Sequence, residues 1–431
     1  MENKPFFQRE GVKTILASLL SIVIGLLAGA VIIVIVGLTN GSIIPSAIWD
    51  AIRLVIAGVF NTGRDAATGA LTFGFNPVYF GNLLFRAMPL ILTGLSVAVA
   101  YKTGLFNIGA PGQYLAGTCA TLFLALSIPT SSIPAWMVWV IAFLGGMIAG
   151  ALWGCIPGLL KALLNINEVI ACIMTNWLAA GLVTWAFDIS SLKNILEGTK
   201  TGYIYKTSTI INDVVVDGVR TISGAKIPEG AQVLATRGGV ATPKLGLDSL
   251  FPGSQVNAGI LIAILLAVVF YIIMEKTTLG YQLKACGSNR YSAKYAGIKD
   301  KRNIVLSMAM AGAMAGAAGA LYSLSGNTEF FWTTYQTLPA VGFTGIAVAL
   351  LAVNNPVGVI FSGMFMSLLN INGQQITNLT AYNEYITDVI IAVIVYLSAF
   401  MLIIRMWISK KRTKPGDKTG KPDRKTAEVS K

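Results

Sequence analysis

Long apolar runs alternate along the chain with short polar breaks, and the length of each run sets the first expectation. A helix crosses a bilayer core with about 20 consecutive apolar residues. On that scale ten helices are expected, at about 14–38, 83–101, 112–128, 134–160, 166–187, 257–274, 304–324, 338–353, 356–371 and 385–408. The pattern predicts an all-α integral membrane protein of about ten transmembrane helices with broken or re-entrant segments. One interval departs from it. Between two strongly apolar runs, Glu275 to Arg302 carries seven Lys/Arg against two acids.

Residues 188–255 form a polar loop of 68 residues, too long for a simple turn. Val214 to Val216, Gly-rich turns and Pro228, Pro243 and Pro252 predict a small strand-bearing cap there. The loop leaves five helices on each side. An odd number per half makes the second half enter the membrane from the opposite face, which gives two inverted five-helix halves with a transport path between them. The expected organisation is an N-terminus 1–13, a first membrane half 14–187, the loop 188–255, a second half 256–408 containing the segment 275–303, and a tail 409–431. The tail is rich in Lys, Pro, Gly and Thr and is expected to be disordered. Segment 43–60 carries Asp50 and Arg53 on one helical face and is expected to be interfacial or re-entrant on the outer side.

Excess Lys/Arg in short connections marks the cytoplasmic side. Lys4, Arg9 and Lys13 place the N-terminus there. The basic tail and the 275–303 segment fall on the same side after an even number of crossings, and 188–255 falls outside. The first apolar run extends well past the length of a signal peptide and is expected to be retained.

The composition agrees with a membrane chain: 55% of residues are hydrophobic and 12% charged, against about 25% charged in soluble domains, and the mean hydropathy is +0.69. Of the 32 basic residues, ten lie from Arg405 onward, so the net charge of +13 points to the membrane surface rather than nucleic acid. Cys119, Cys155, Cys172 and Cys286 form no CxxC pair, which predicts small core residues and neither disulfides nor a metal site. The chain has no histidine, so no Ser-His-Asp or Cys-His constellation can form. No GxxxxGK[ST] loop cradles ATP phosphates. An enzyme is not expected, no cofactor is expected in this chain, and any ATP would be bound by a partner.

Several segments carry candidate chemistry. Gly104 to Gln113 holds three glycines, Pro111, Asn107 and Gln113. Either it is a discontinuous helix lining a solute path with neutral amides, or a turn between two helices. Gly342 to Ile346 is a second Gly-rich interruption. In 165–176, Asn165 or Asn167 can cap a helix with Glu168 in its first turn; the sharper alternative is a polar gate formed by Glu168 and Asn176. In the basic segment, Gly280 stands at the start of a helix-like run, Lys284 within it, Gly287 interrupts it, and Ser288, Asn289, Ala293, Ala296 and Gly297 form a second run with small residues. Such a short helix parallel to the membrane can be gripped by another protein. Ala309 to Ala320 holds Gly312 and Gly316 in GxxxG spacing, for packing within the subunit or, alternatively, for a dimer seam. Glu329, Glu384 and Asp388 lie near helix ends.

Four blocks resemble the membrane permease subunits of bacterial ABC importers for simple sugars, nucleosides and branched-chain amino acids, the nucleoside-type branch above all. They are Gly104 to Gln113; Asn167-Glu-Val-Ile170 with Met174-Thr-Asn176; Thr278 to Asn289 with Ala296-Gly-Ile298; and Gly345 to Leu351 with Asn355-Pro356. The third matches that family's coupling loop. Pro111 stands where an acidic residue is common, and Cys286 and the long 188–255 insertion also depart from the pattern. The resemblance implies a permease in the bacterial cell membrane that moves a nucleoside or related simple sugar. Its implied partners are a second permease subunit, as a heterodimer, a cytoplasmic ATPase with two nucleotide-binding domains, and an extracytoplasmic solute-binding lipoprotein. The alternative is an ion-coupled secondary transporter. Such carriers use intramembrane acids or histidines as relays, and the expected helix centres nearly lack them, with Arg86 the main exception.

Overall fold

A computed structural model describes residues 10–39, 43–128, 130, 132–190, 192, 214–216, 219–222, 225–228, 240–328, 330–332, 337–383 and 385–399. The expectations for Lys4 and Arg9, most of 188–255, Glu329, Glu384, and the tail from 400 lie outside the described residues. The helices are α1 (Glu10–Thr39), α2 (Pro45–Ala57), α3 (Pro77–Lys102), α4 (Ala110–Ser127), α5 (Ala135–Leu164), α6 (Glu168–Ile189), α7 (Leu247–Leu250), α8 (Gly259–Lys276), α9 (Thr278–Ser288), α10 (Arg290–Tyr295), α11 (Asp300–Ser323), α12 (Ala340–Leu351), α13 (Pro356–Leu379) and α14 (Tyr385–Ala399). Strands β1 (Asn61–Arg64) and β2 (Leu71–Phe73) form an antiparallel hairpin. Strands β3 (Val214–Val216), β4 (Val219–Ile222) and β5 (Ala225–Pro228) form an antiparallel three-stranded sheet in the long loop.

Among the described residues, six helices are long and apolar enough to cross a membrane: α3, α5, α6, α8, α11 and α13. The other four expected segments correspond to α1, α4, α12 and α14. Of these, α12 has 12 residues, about 18 Å of helix, short of a full crossing. The hairpin β1–β2 was not anticipated; its Asn61, Gly63 and Arg64 give no alternating apolar pattern. Helix α3 starts six residues before the expected 83. Its first turn is polar but well capped: the Asn76 side chain accepts from the N–H groups of Val78 and Tyr79, and Pro77 occupies the first helical position.

Helix α3 is the central post, buried over almost its whole length. Gly94 of α3 meets Val348 of α12, and Gly363 of α13 meets Ile91. Helix α1 packs on α14, with Gly29 against Ile390 and the Tyr382 hydroxyl donating to the Ile33 carbonyl at 2.6 Å. Helix α2 is 13 residues long and sits on α13, where Asn372 donates to the Val55 carbonyl and accepts from the Val59 N–H. Its Asp50 pairs with Arg64 of the hairpin at 2.7 Å, and Arg53 lies over the Phe73 ring. Around the outside, Leu144, Ile148 and Leu152 of α5, Trp177 of α6 and Leu265 of α8 are exposed, an apolar belt that suits lipid.

The tightest seam joins α5 and α11. Gly150 and Gly154 face Gly312 and Gly316 so closely that the two backbones touch, and Gly117 of α4 meets Gly316 from the other side. The GxxxG spacing of Gly312 and Gly316 therefore serves packing within the subunit. A side chain at Gly312 would overlap the Gly150 carbonyl. Gly312→Val is expected to destabilise the purified chain by about 1–3 kcal/mol, whereas Gly181→Val, at a position with no neighbour within 4 Å, should leave it unchanged. Thermal midpoints in detergent check this; equal midpoints for both variants would contradict the seam.

Candidate functional site

The basic segment forms two short helices joined at Asn289. Thr277 caps α9 by accepting from the Gly280 N–H at 3.2 Å, and Asn289 caps α10 by accepting from the Ser292 N–H at 3.0 Å. Gly287 does not interrupt a helix, contrary to the sequence expectation. It lies within the last turn of α9, and the break falls at Asn289. Its small size serves close approach instead: a Cβ there would lie 2.7 Å from the Lys102 carbonyl oxygen and 2.8 Å from the Gly104 nitrogen. Gly104 in turn has φ +74°, in the left-handed region that glycine adopts without strain. Helix α9 thus rests directly on the turn that ends α3.

Ion pairs fix the same joint. Lys284 reaches Glu275 at 2.8 Å, Lys102 approaches Glu275 at 3.6 Å, and Arg290 binds Asp300 at 2.6 Å. Gly280 is buried against the end of α8, and Ala293 is buried as well. Ser288, Asn289, Ala296 and Gly297 are exposed, and Gly297, at φ +78°, ends the α10 turn. Sequence reasoning missed three residues on this face. Tyr281, Tyr291 and Tyr295 are 69%, 78% and 94% exposed. Exposed tyrosines at such density are the kind of side chain that anchors protein interfaces.

The segment 103–109 between α3 and α4 is non-helical and folds back into the bundle. Asn107 is fully buried; its Nδ2 donates to Ser96 Oγ at 2.9 Å and to Gln113 Oε1 at 2.8 Å. Asn107 Oδ1 accepts from Gln113 Nε2 and from the Gly109 N–H, both at 3.0 Å. Asn176 of α6 accepts from the Gly112 N–H at 2.9 Å and donates to the Ile108 carbonyl at 3.0 Å. Thr103 hydrogen-bonds Ser307 of α11. Asn107, Gln113 and Asn176 are therefore brought together as one buried amide cluster. Glu168 stands apart in the first turn of α6, paired with Lys161 at 2.9 Å, while Asn167 caps that helix and Asn165 ends α5 at φ 55°. The second Gly-rich interruption meets the first, with Gly342 against Pro111 and the Thr93 hydroxyl donating to the Val341 carbonyl at 3.1 Å.

Further along α3, towards the hairpin, α3, α4, α11, α12, α13 and α14 line an open cavity of about 560 Å³. Phe85, Arg86, Tyr114, Tyr322, Asn370 and Asp388 line it. Phe85 and Tyr322 stack with centroids 5.6 Å apart at 21°. Pro89, also in the lining, has no N–H to give the Phe85 carbonyl one turn earlier, so α3 lacks one backbone bond here. The sequence singled out Arg86 and Asp388 separately but not as one site, because its walls come from six different helices.

An amide removed from the cluster strands its partners in a dry interior. Asn176→Leu is expected to lower stability by about 1–3 kcal/mol by orphaning the Gly112 N–H and the Ile108 carbonyl. A thermal midpoint in detergent equal to that of the unmodified chain would show that the cluster is dispensable.

Residues 79–399 match the family model described as branched-chain amino acid transport system / permease component. The nucleoside ABC transporter permease protein NupB of Lactococcus lactis is 35% identical over 371 residues, covering 82% of this chain and 93% of the relative. The guanosine ABC transporter permease protein NupP of Bacillus subtilis is 31% identical over 401 residues, covering 93% and 97%. The glucose ABC transporter permease protein TsgB13 of Haloferax volcanii is 30% identical over 344 residues, covering 78% and 82%. With one family model matched across most of its length and two bacterial permeases aligned over more than four-fifths of it, the chain belongs to the branched-chain amino acid transport system / permease component family.

Proposed function

We propose that this chain is the permease subunit of an ATP-driven importer for a nucleoside or a related sugar-bearing solute. In this reading it pairs with a second permease and a cytoplasmic ATPase, and receives solute from an extracytoplasmic binding lipoprotein. The 275–303 segment and both termini face the cytoplasm, the 188–255 loop faces outside, and ten helices form two inverted halves with the cavity between them. The similarity to NupB and NupP supports the solute class.

One observation carries the mechanism: the backbone of α9 at Gly287 rests on Lys102 to Gly104. ATPase closure would press on α9 and α10 through Tyr281, Tyr291 and Tyr295. The load passes through that contact into the break 103–109 and the amide cluster of Asn107, Gln113 and Asn176, which walls the route from the cavity to the inner face. Glu168, held by Lys161, stands near its mouth. The ATPase partner supplies the chemistry of hydrolysis; this chain supplies the path and the lever.

A β-branched side chain at Gly287 would force α9 away from the α3 turn. In the assembled transporter, Gly287→Val is expected to cut nucleoside uptake roughly tenfold or more, equivalent to about 1.4 kcal/mol of lost coupling, while ATP hydrolysis continues. Radiolabelled uptake and phosphate release, measured on the same vesicles, check it. Uptake and hydrolysis that both stay at the wild-type level would refute the lever.

A further inference from the structure

Among the described residues Asp50 pairs with Arg64, Lys161 with Glu168, Glu275 with Lys284 and Lys102, and Asp300 with Arg290. Arg86 differs. It is half-buried in the most fully buried helix, lines the cavity, and makes no ion pair or hydrogen bond with any described residue. An unpaired cation at membrane depth is costly and marks a solute or ion path by default. A guanidinium offers five N–H donors in a rigid fork suited to two adjacent acceptors.

The surroundings narrow the ligand. Asp388, exposed at the rim, lines the same cavity as Arg86, so the site offers one charge of each sign and suits a neutral molecule better than an anion. The Phe85–Tyr322 stack and Tyr114 supply aromatic surface for a flat ring. Asn370 and Asp388 supply acceptors for hydroxyl groups. The cavity volume of about 560 Å³ lies within the ~300–1,000 Å³ of small-molecule sites.

Resting on the importer reading above, we propose that Arg86 is the base-selecting residue of the path. Its fork takes the adjacent O6 and N7 acceptors of a 6-oxopurine nucleoside, with the ring against the aromatic wall and the ribose hydroxyls towards Asn370 and Asp388. Guanosine and inosine present both acceptors. Adenosine replaces O6 with a donor amino group, and uridine separates its two carbonyl acceptors with the N3–H donor.

The test is uptake by the complete transporter in membrane vesicles, normalised to the amount of this chain, with radiolabelled guanosine, inosine, adenosine and uridine. The lipoprotein is the same in every arm, so its own preference cancels in the variant-to-wild-type ratio. Arg86→Gln is expected to reduce guanosine and inosine uptake about tenfold, within the ~5- to 150-fold discrimination of one bidentate arginine–guanine pair, and adenosine and uridine uptake less than twofold. Arg86→Lys keeps the charge but loses the fork, and should show the same selective loss to a smaller extent. Equal loss for all four nucleosides in both variants overturns the proposal, as does guanosine 5′-monophosphate competing better than guanosine, which would mark an anion site. A wild-type transporter that moves none of the four overturns the nucleoside reading itself, a result distinct from nucleoside uptake without base selectivity.

Discussion

The polar backbone groups of an interrupted helix inside a bundle are tolerated only where protein atoms bond them or water reaches them. The rest of this architecture follows from that constraint. The break after α3 is closed by Asn107, Gln113 and Asn176, whose amides can donate and accept at once without the desolvation cost of a charge. The turn between α12 and α13 is handled in the same way. Asn355 caps α13 by accepting from two backbone N–H groups, after Val353 and Asn354 turn the chain through left-handed φ angles. Breaks whose backbone is bonded in this way let short helices and loops enter the bundle, although the buried Asn354 Oδ1 has no partner among the described residues.

Small residues complete the arrangement by setting what moves together. Where α5, α4 and α11 meet through glycines, backbones interlock and the three helices form a stiff body. Helix α9 is joined to the end of α3 by the Gly287–Gly104 approach and the Lys102–Glu275–Lys284 ion pairs. Helix α12 is short and touches α3 through Gly345 and α4 through Gly342 at Pro111. Helix α9 also rests on α8 through Gly280 and on α11 through Cys286 and Asn303, while α3 carries Ser96 into the amide cluster and Arg86 into the cavity.

The apolar periodicity made the long helices legible, because six of them are apolar over windows that match a bilayer. The basic segment was equally visible, since seven cations in one short connection between apolar runs stand out against a chain with few charges. What escaped was set by tertiary contact. Gly287 looks like a helix breaker in the sequence and proves to be a contact point. The first turns of α3, polar at Asn76, Tyr79 and Asn82, fell below the hydropathy that marks a span. The three exposed tyrosines on α9 and α10 lie in a polar stretch where aromatic residues carry no periodic signal. The cavity could not be read at all as a set, because residues as far apart as Phe85 and Asp388 build it; Arg86 stood out as a charge in an apolar run and Asp388 only as an acid near a helix end. The amides of the cluster were legible as residues, but their mutual bonding was not.

The central claim is that the break between α3 and α4 moves with α9 as a closed unit rather than opening. Five of the seven N–H groups in 103–109, those of Thr103, Gly104, Leu105, Ile108 and Gly109, have acceptors among the described residues, at 3.0, 3.0, 3.1, 3.2 and 3.0 Å. Hydrogen–deuterium exchange of peptides covering residues 103–109, measured on the assembled transporter with and without ATP, tests it directly. The account predicts slow exchange in both states, with changes confined to peptides from α9, α10 and the cavity lining. Fast exchange across 103–109 when ATP binds would mean that the break unfolds during transport and that coupling runs by another route.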